Sequence, residues 1–268
     1  ENVEWISCFP SNPIISACAK VNIRPIAFRH ERGAVMAADG YSRISMRKKF
    51  GVVAVQSQAG AENAMGGIAQ AAADNIPILI LLGGNSLDQI SVKPNFSAVQ
   101  KYQGWVKQVE AIYSPTQVGA VMRRAFNALK NGPPGPVVVE MTTDVCQQNV
   151  PEEYQNYKSP SYSLQVPDTN EIARTIELWQ KARKPVIWAG GGVLASSGSI
   201  TLKELAELTA TPVFCTMPGK SSFDERHPLA LGAGCGTTTE MAHKWLTESD
   251  LIIALGTSLT RSPYGQKI

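Results

Sequence analysis

The feature that most constrains the fold is a repeated alternation: short runs of Val, Ile and Leu, each followed by apolar residues at helical spacing. The runs at Val3 to Phe9, Pro25 to Phe28, Gly51 to Val55, Ile78 to Leu82 and Pro136 to Met141 are apolar nearly throughout, not at every second residue. Strands covered on both faces read that way, so the pattern predicts β-α-β units around a parallel sheet. The helix after Ser114 is the clearest of the intervening elements. Ser114 caps it, Pro115 suits its first turn, Gln117 completes a capping box, and Val118, Val121, Met122, Phe126 and Leu129 share one face. Gly132 ends it, and "GPPGP" turns the chain into "PVVVEM".

A polar, proline-bearing stretch from Gln147 to Ser163, "QQNVPEEYQNYKSPSYS", breaks the alternation. A second series follows: Asp168 with Glu171 caps a helix carrying Ile172, Ile176 and Trp179, then come "PVIWAGGG", a helix around Leu202 to Leu208, "TPVFC", a helix from Thr238 to Thr247, and "LIIALG". The expected fold class is α/β, two doubly wound parallel-sheet domains at 1–146 and 168–268 with a linker at 147–167. Both domains are expected to be incomplete. "VEWISCF" opens directly on a strand, and "DLIIALGTSLTRSPYGQKI" leaves a strand and its loop without a closing element.

Composition narrows the function classes. A formal charge of +3 on 268 residues, with Arg47, Lys48 and Lys49 as the only dense basic run, argues against nucleic acid as a partner. Cys8, Cys18, Cys146, Cys215 and Cys235 are widely spaced and form no C-x-x-C pair, so reduced thiols, a cytoplasmic location and no metal-ligating residues are expected. The longest strongly apolar run, Ile76 to Leu82, is far short of the ~20 residues a membrane helix needs.

Two strand-to-helix junctions carry candidate chemistry. In "AFRHERGAVMAADGYSR", Glu31 stands where a helix begins; an acid there meets the positive end of the helix dipole, so capping alone would account for it. In "VVAVQSQAGAENAMGGIAQA", Gly60 and small neighbours allow a ligand ring close to backbone groups, although glycine at such a turn also serves geometry. The pairing of the two junctions adds weight, because ligands gather beyond the carboxyl ends of parallel strands.

The ordered segments "RHERGAVMAADGYSR", "VQSQAGAENAMGGIAQA", "IPILILLGG" and "GPPGPVVVEM" run through most of residues 1 to 150. Together they resemble the pyrimidine-binding domain of thiamine diphosphate enzymes of the acetolactate synthase and pyruvate oxidase group. The second series, up to "DLIIALGTSL", is similar to that group's central domain. The resemblance implies that Glu31 bonds N1′ of the cofactor's aminopyrimidine and, by sharing a proton, activates the thiazolium C2 for addition to a 2-oxo acid. That role requires a buried acid; an exposed Glu31 would be a cap. Pro10, in "CFPSNPI", is implied beside the reacting centre, although a simple turn proline reads equally well, and Ser57, Gly60 and Asn63 are implied in the cofactor loop; His30, next to the acid at the helix start, reads as a surface or supporting residue. Relatives often have glycines at Ser11 and Asn12, implying a more polar substrate pocket here, and more often a proline at Ala59.

Further implications concern the rest of the protein. The family's third domain, with its Gly-Asp-Gly to Asn motif for magnesium and diphosphate, has no counterpart in these residues. The resemblance therefore implies a homo-oligomer with its active site at a subunit interface and magnesium supplied from elsewhere. "NFSAVQKYQGWVKQ" keeps the Phe96 of acetolactate synthases and offers Lys107, but has Ser97 and Ala98 where they carry Gln-Glu. The implied reaction is accordingly acetolactate synthase-like in the wide sense: decarboxylation or carboligation, by a transferase or lyase. "WAGGGVLASSG" is not a G-x-G-x-x-G fingerprint, and "LGTSLTRSP" departs from the segment of FAD-bearing relatives, so the expectation leans against FAD. "ALGTSL" also occurs in sirtuins, but the paired zinc cysteines are missing. The rival reading is a noncatalytic regulatory or assembly module with the same fold.

Overall fold

The computed structural model describes residues 1–10, 12–163, 165–234 and 238–260. Ser11, the side chain of Asn12, Cys235 and the last three residues of "LGTSLTRSP" lie outside that description. The chain divides into two compact units, Glu1–Leu164 and Gln165–Ile268.

The first unit alternates strands and helices in the order β1 (Trp5–Phe9), α1 (Asn12–Lys20), β2 (Arg24–Ala27), α2 (Glu31–Ile44), β3 (Gly51–Val55), α3 (Ala59–Ala73), β4 (Ile78–Gly84), α4 (Ala98–Tyr102), β5 (Gln108–Ile112), α5 (Val118–Lys130) and β6 (Val137–Thr142). Its six strands form one sheet in the order β2-β1-β3-β4-β6-β5, and every neighbouring pair is parallel. Every residue of β3 is buried, as a strand covered on both faces requires. One face carries α2, α3 and α4 over a core that includes Val35, Ala64, Ile68 and Tyr102. The other carries α1 and α5 through Ile14, Val121, Phe126 and Leu129. The sheet is therefore doubly wound, and its strand order reverses between β1 and β3, where such folds open a crevice at the carboxyl edge.

The Ser114 signal holds with a variation. Ser114 accepts from Thr116 N, a 3-10 turn at Pro115–Gln117 leads into α5, and Gln117 accepts from Tyr113 N at 2.9 Å. The polar stretch after β6 is tied to α5 at its end: Lys130 donates to Ser159 Oγ and the Pro160 carbonyl, and Asn131 to the Ser161 carbonyl.

The second unit runs α6 (Thr169–Lys181), β7 (Pro185–Ala189), α7 (Gly191–Ala195), α8 (Ser199–Thr209), β8 (Val213–Thr216), β9 (Ala230–Gly234), α9 (Glu240–Glu248) and β10 (Leu251–Leu255). Its parallel sheet has the order β10-β7-β8-β9. α7 and α8 pack on one face through Val193, Leu202 and Ala206, and α9 on the other through Ala242 and Leu246. Asp168 caps α6 by accepting from Asn170 N and Glu171 N, yet Ile172 and Ile176 are exposed and Trp179 alone of the three reaches the core. Among the described residues, no helix is long and apolar enough to cross a membrane.

Candidate active site

The acid is placed by α2, and α2 is fixed at both ends. Ser7 Oγ on β1 donates to the Ala34 carbonyl at 2.7 Å, and Ser42 Oγ donates to the Pro77 carbonyl at 2.7 Å while accepting from Gly51 N. Gly51 is required at that crossing, because a Cβ would meet the Ala38 carbonyl oxygen at 2.0 Å. Glu31 is thereby held as the first residue of α2, just beyond the carboxyl end of β2, and it is only 2 % exposed. A carboxyl group of an ordinary capping residue stays in water; this one does not. The cap itself is His30, whose Nδ1 accepts from Arg32 N at 3.1 Å.

α3 brings the second junction to the first. Asn63 Nδ2 donates to Glu31 Oε2 at 3.2 Å. One turn along both helices, a Cβ on Gly67 would meet Val35 Cγ1 at 2.9 Å, so the absence of a side chain there lets α2 and α3 close on each other. Gly60 lies in front of the other carboxyl oxygen: a Cβ there would stand 3.3 Å from Oε1 and 2.4 Å from Gln56 Cγ. Glu31, Gly60 and Asn63 thus converge, although they belong to two separate junctions.

Pro10 and Ser57 line a neighbouring cleft of about 230 Å³, with Pro13, Ile14, Gln56, Gly83, Met141, Thr143 and Cys146. Ile14, Met141 and Cys146 pack with the α1 and α5 face, whereas Gly60 and Asn63 belong to α3 on the opposite face. Gln56, at the end of β3, is common to both: it lines the cleft and its side chain lies over Gly60. Burial, and secondarily Asp144, holds the Cys146 thiol above the usual range, so this half-buried sulfur is a neutral thiol at ordinary pH.

Residues not singled out in the sequence also shape this edge. Gln58 adopts φ 53° and ψ −114°, a conformation suited to glycine, and its Nε2 donates to Asn85 Oδ1 at 3.2 Å. Asn85 in turn donates to Asn95 at 2.6 Å. Gln56 and Asn85 each follow a buried strand directly, which is the signal that could have found them. The segment around Phe96 is built into the core: Phe96 is buried, Ser97 caps α4, and Ala98 N donates to Glu140 Oε2 at 3.2 Å. Burial pushes the Glu140 carboxyl up to about 7, against the lowering effect of the Ala98 and Val99 N–H groups. Lys107 precedes β5 at the opposite, amino edge and donates to the Ala128 and Asn131 carbonyls at the end of α5.

In the second unit the glycine turn is filled by the chain itself. A Cβ on Gly190 would meet the Gly256 carbonyl oxygen at 2.3 Å, one on Gly192 the Gly256 Cα at 2.7 Å, and one on Gly219 the Ala189 carbonyl oxygen at 2.6 Å. Backbone-on-backbone approach accounts for these glycines without a ligand. Among the described residues, no group of three or more His, Cys, Asp or Glu is arranged to hold a metal ion.

Comparison with known proteins agrees with this division. Residues 2–111 match the family described as thiamine pyrophosphate enzyme, N-terminal TPP binding domain, and residues 172–267 match thiamine pyrophosphate enzyme, central domain. The chain belongs to the thiamine pyrophosphate enzymes. Thiamine pyrophosphate is the same compound as thiamine diphosphate. The chain is 33% identical to the "Probable acetolactate synthase large subunit" of Methanococcus aeolicus over 96% of its own length and 44% of the relative's. It is 32% identical to the protein of the same name from Methanocaldococcus jannaschii, over 96% and 45%. It is also 32% identical to "Acetolactate synthase isozyme 3 large subunit" of Escherichia coli K12, over 86% and 41%. The chain therefore spans less than half the length of these relatives.

Proposed function

We propose that the full-length protein carrying this chain is a thiamine diphosphate-dependent transferase or lyase, acetolactate synthase-like in the wide sense, that decarboxylates or ligates a 2-oxo acid. One observation carries the reading: Glu31 is a buried carboxyl group at a carboxyl-edge helix start, with one oxygen held by Asn63 and a glycine in front of the other. Those residues fit the aminopyrimidine half of the cofactor. Burial keeps water from the acid, and the missing Cβ at Gly60 leaves its Oε1 next to bare backbone, where a flat ring can approach once the exposed Gln56 side chain swings aside. When bound, thiamine diphosphate supplies a carbon nucleophile and an electron sink that the protein side chains lack.

The chain's own residues then have separate tasks. Glu31 holds and moves a proton at the ring nitrogen N1′, as a general acid–base group must do from within hydrogen-bond reach. Pro10 and Ser57 line the cleft beside it, and Gly60 supplies the open approach. The diphosphate and magnesium fall to a part of the protein outside these residues, most simply on another subunit of a homo-oligomer. The domain limits we assign are 1–146 for the pyrimidine-binding domain, 147–167 for the linker and 168–268 for the central domain. The filled glycine turn of the second unit gives no support to FAD, and we assign it none. We place the protein in the cytoplasm.

The test is turnover of the full-length protein with a panel of 2-oxo acids, thiamine diphosphate and magnesium. Carbon dioxide release or ligation products that depend on both cofactors are expected. A protein that neither binds thiamine diphosphate nor consumes any 2-oxo acid would instead be the noncatalytic module.

A further inference from the structure

The two oxygens of Glu31 have different surroundings. Oε2 accepts from Asn63 Nδ2 at 3.2 Å, and among the described residues no other hydrogen bond reaches the carboxyl group. The His30 ring lies 3.8 Å from the same oxygen, but its Nδ1 lone pair is already engaged by Arg32 N, so the imidazole presents no proton there. Oε1 faces the Cα of Gly60, over which the exposed Gln56 side chain lies. A proton on Oε2 would point at the hydrogens of the Asn63 amide, whereas a proton on Oε1 leaves Oε2 free to accept from that amide.

We propose that Asn63 is a positioning residue: it reserves Oε2 as an acceptor and so places the transferable proton on Oε1, the oxygen on the Gly60 side, where the aminopyrimidine would approach. The proposal rests on the reading of Glu31 given above, and it assigns Asn63 to the acid and not to the cofactor. In the transfer, the Oε1–H bond breaks and an N1′–H bond forms. The negative charge left on the carboxylate is then met by an amide donor already in place, a charge-assisted bond stronger than the neutral one before transfer. The helical register supports the pairing. Glu31 and Val35 lie one turn apart on α2, Asn63 and Gly67 one turn apart on α3, and the close Val35–Gly67 approach fixes the distance at which Asn63 meets the acid.

The experiment uses the full-length protein with Asn63→Leu, which is nearly the same size but has no donor, and Asn63→Ala. Asn63 is exposed on α3 and both replacements are good helix formers, so both variants are expected to fold. Three quantities are measured: affinity for thiamine diphosphate with magnesium by calorimetry, hydrogen–deuterium exchange at C2 of the bound cofactor, and the side-chain amide resonance of 15N-labelled Asn63 in cofactor-free protein. Both variants should slow C2 exchange about tenfold while changing cofactor affinity less than about twofold, as expected for loss of one oriented hydrogen bond to a reacting group. In cofactor-free protein the Asn63 amide resonance should move on Glu31→Ala. Weakened cofactor binding with unchanged exchange would make Asn63 a direct cofactor contact and overturn the proposal. An unmoved amide resonance, or exchange and affinity both unchanged in the variants, would also overturn it. Glu31→Gln separates this failure from that of the underlying reading: unchanged exchange in that variant sinks the role of Glu31 itself, whatever Asn63 does.

Discussion

The two units use glycine at the same kind of place, the junction just beyond a parallel strand, for different ends. In the second unit, Gly190, Gly192, Gly219 and Gly256 face backbone: an added Cβ would run into carbonyl oxygens, Cα or amide atoms of the neighbouring loops. In the first unit, Gly60 faces side chains, the Gln56 Cγ and the Glu31 Oε1. Backbone cannot retreat, whereas an exposed glutamine side chain can. What stands opposite a glycine therefore tells a packing glycine from one that leaves a buried side chain approachable, and a motif search over "AGAEN" and "AGGGV" does not. The buried acids divide in the same way. Among the described residues Glu31, Asp39 and Glu140 are the acidic residues buried as a whole, and all three lie in the first unit.

The largest effect should come from closing a backbone contact in the second unit. Gly256→Ala puts a Cβ 2.6 Å from Val193 N at a residue whose φ is 59°. It should destabilise that unit by about 4 kcal/mol, combining left-handed strain with overpacking against backbone. Hydrogen exchange of β7 and β10 peptides reads this unit separately from the first; unchanged protection there would break the comparison. Next is the pH response of the first unit. The folded Glu140 titrates at about 7, raised from the ordinary value of 4.5 by burial, so its contribution to stability is fully present below pH ~4.5 and is lost as pH rises through 7. Between pH 5 and 8 the first unit should lose on the order of 3 kcal/mol of stability relative to Glu140→Gln, which removes the titration. The second unit should show no such Glu140-linked change. Denaturant titrations across pH, followed by peptides of each unit, check the sign.

Smaller effects test the approach to the acid. Gly60→Ala should cost only about 1 kcal/mol of stability, because Gln56 can move, yet it should weaken binding of thiamine diphosphate to the full-length protein. A cost as large as that of Gly256→Ala would mean that Gly60, too, is held against atoms that cannot move. Smallest of all, Gln58→Gly should stabilise the first unit by about 0.5 kcal/mol, since relief of the φ 53° strain outweighs the added chain entropy and the lost bond to Asn85. Thermal unfolding measures it, and a lower melting temperature would show that the amide contact outweighs the strain.

What the sequence revealed follows from burial. Strands β3, β4 and β6 are interior and read directly as apolar runs, and β3 begins and ends where the runs placed it. The two strands that escaped notice, Gln108–Ile112 and Ala230–Gly234, are both sheet edges, and none of the first four residues of either is fully buried. With one flank exposed, their residues need not be apolar throughout, and the periodic signal disappears. At the site, the acid and the glycine loop were legible because each follows a strand. The split of Pro10 and Ser57 from Glu31, Gly60 and Asn63 was not, because it depends on which face of the sheet each helix covers. Lys107 was misleading for a related reason: in a parallel sheet a residue entering a strand lies at the edge opposite to one leaving it.

Glu31 as a proton-transferring acid, and not a cap, is put to the test by hydrogen–deuterium exchange at C2 of thiamine diphosphate bound to full-length Glu31→Gln. Glutamine preserves size and a hydrogen bond but cannot relay a proton, so exchange should slow by roughly two to four orders of magnitude with little change in folding. Exchange at the wild-type rate, in a variant that still binds the cofactor, would contradict the account.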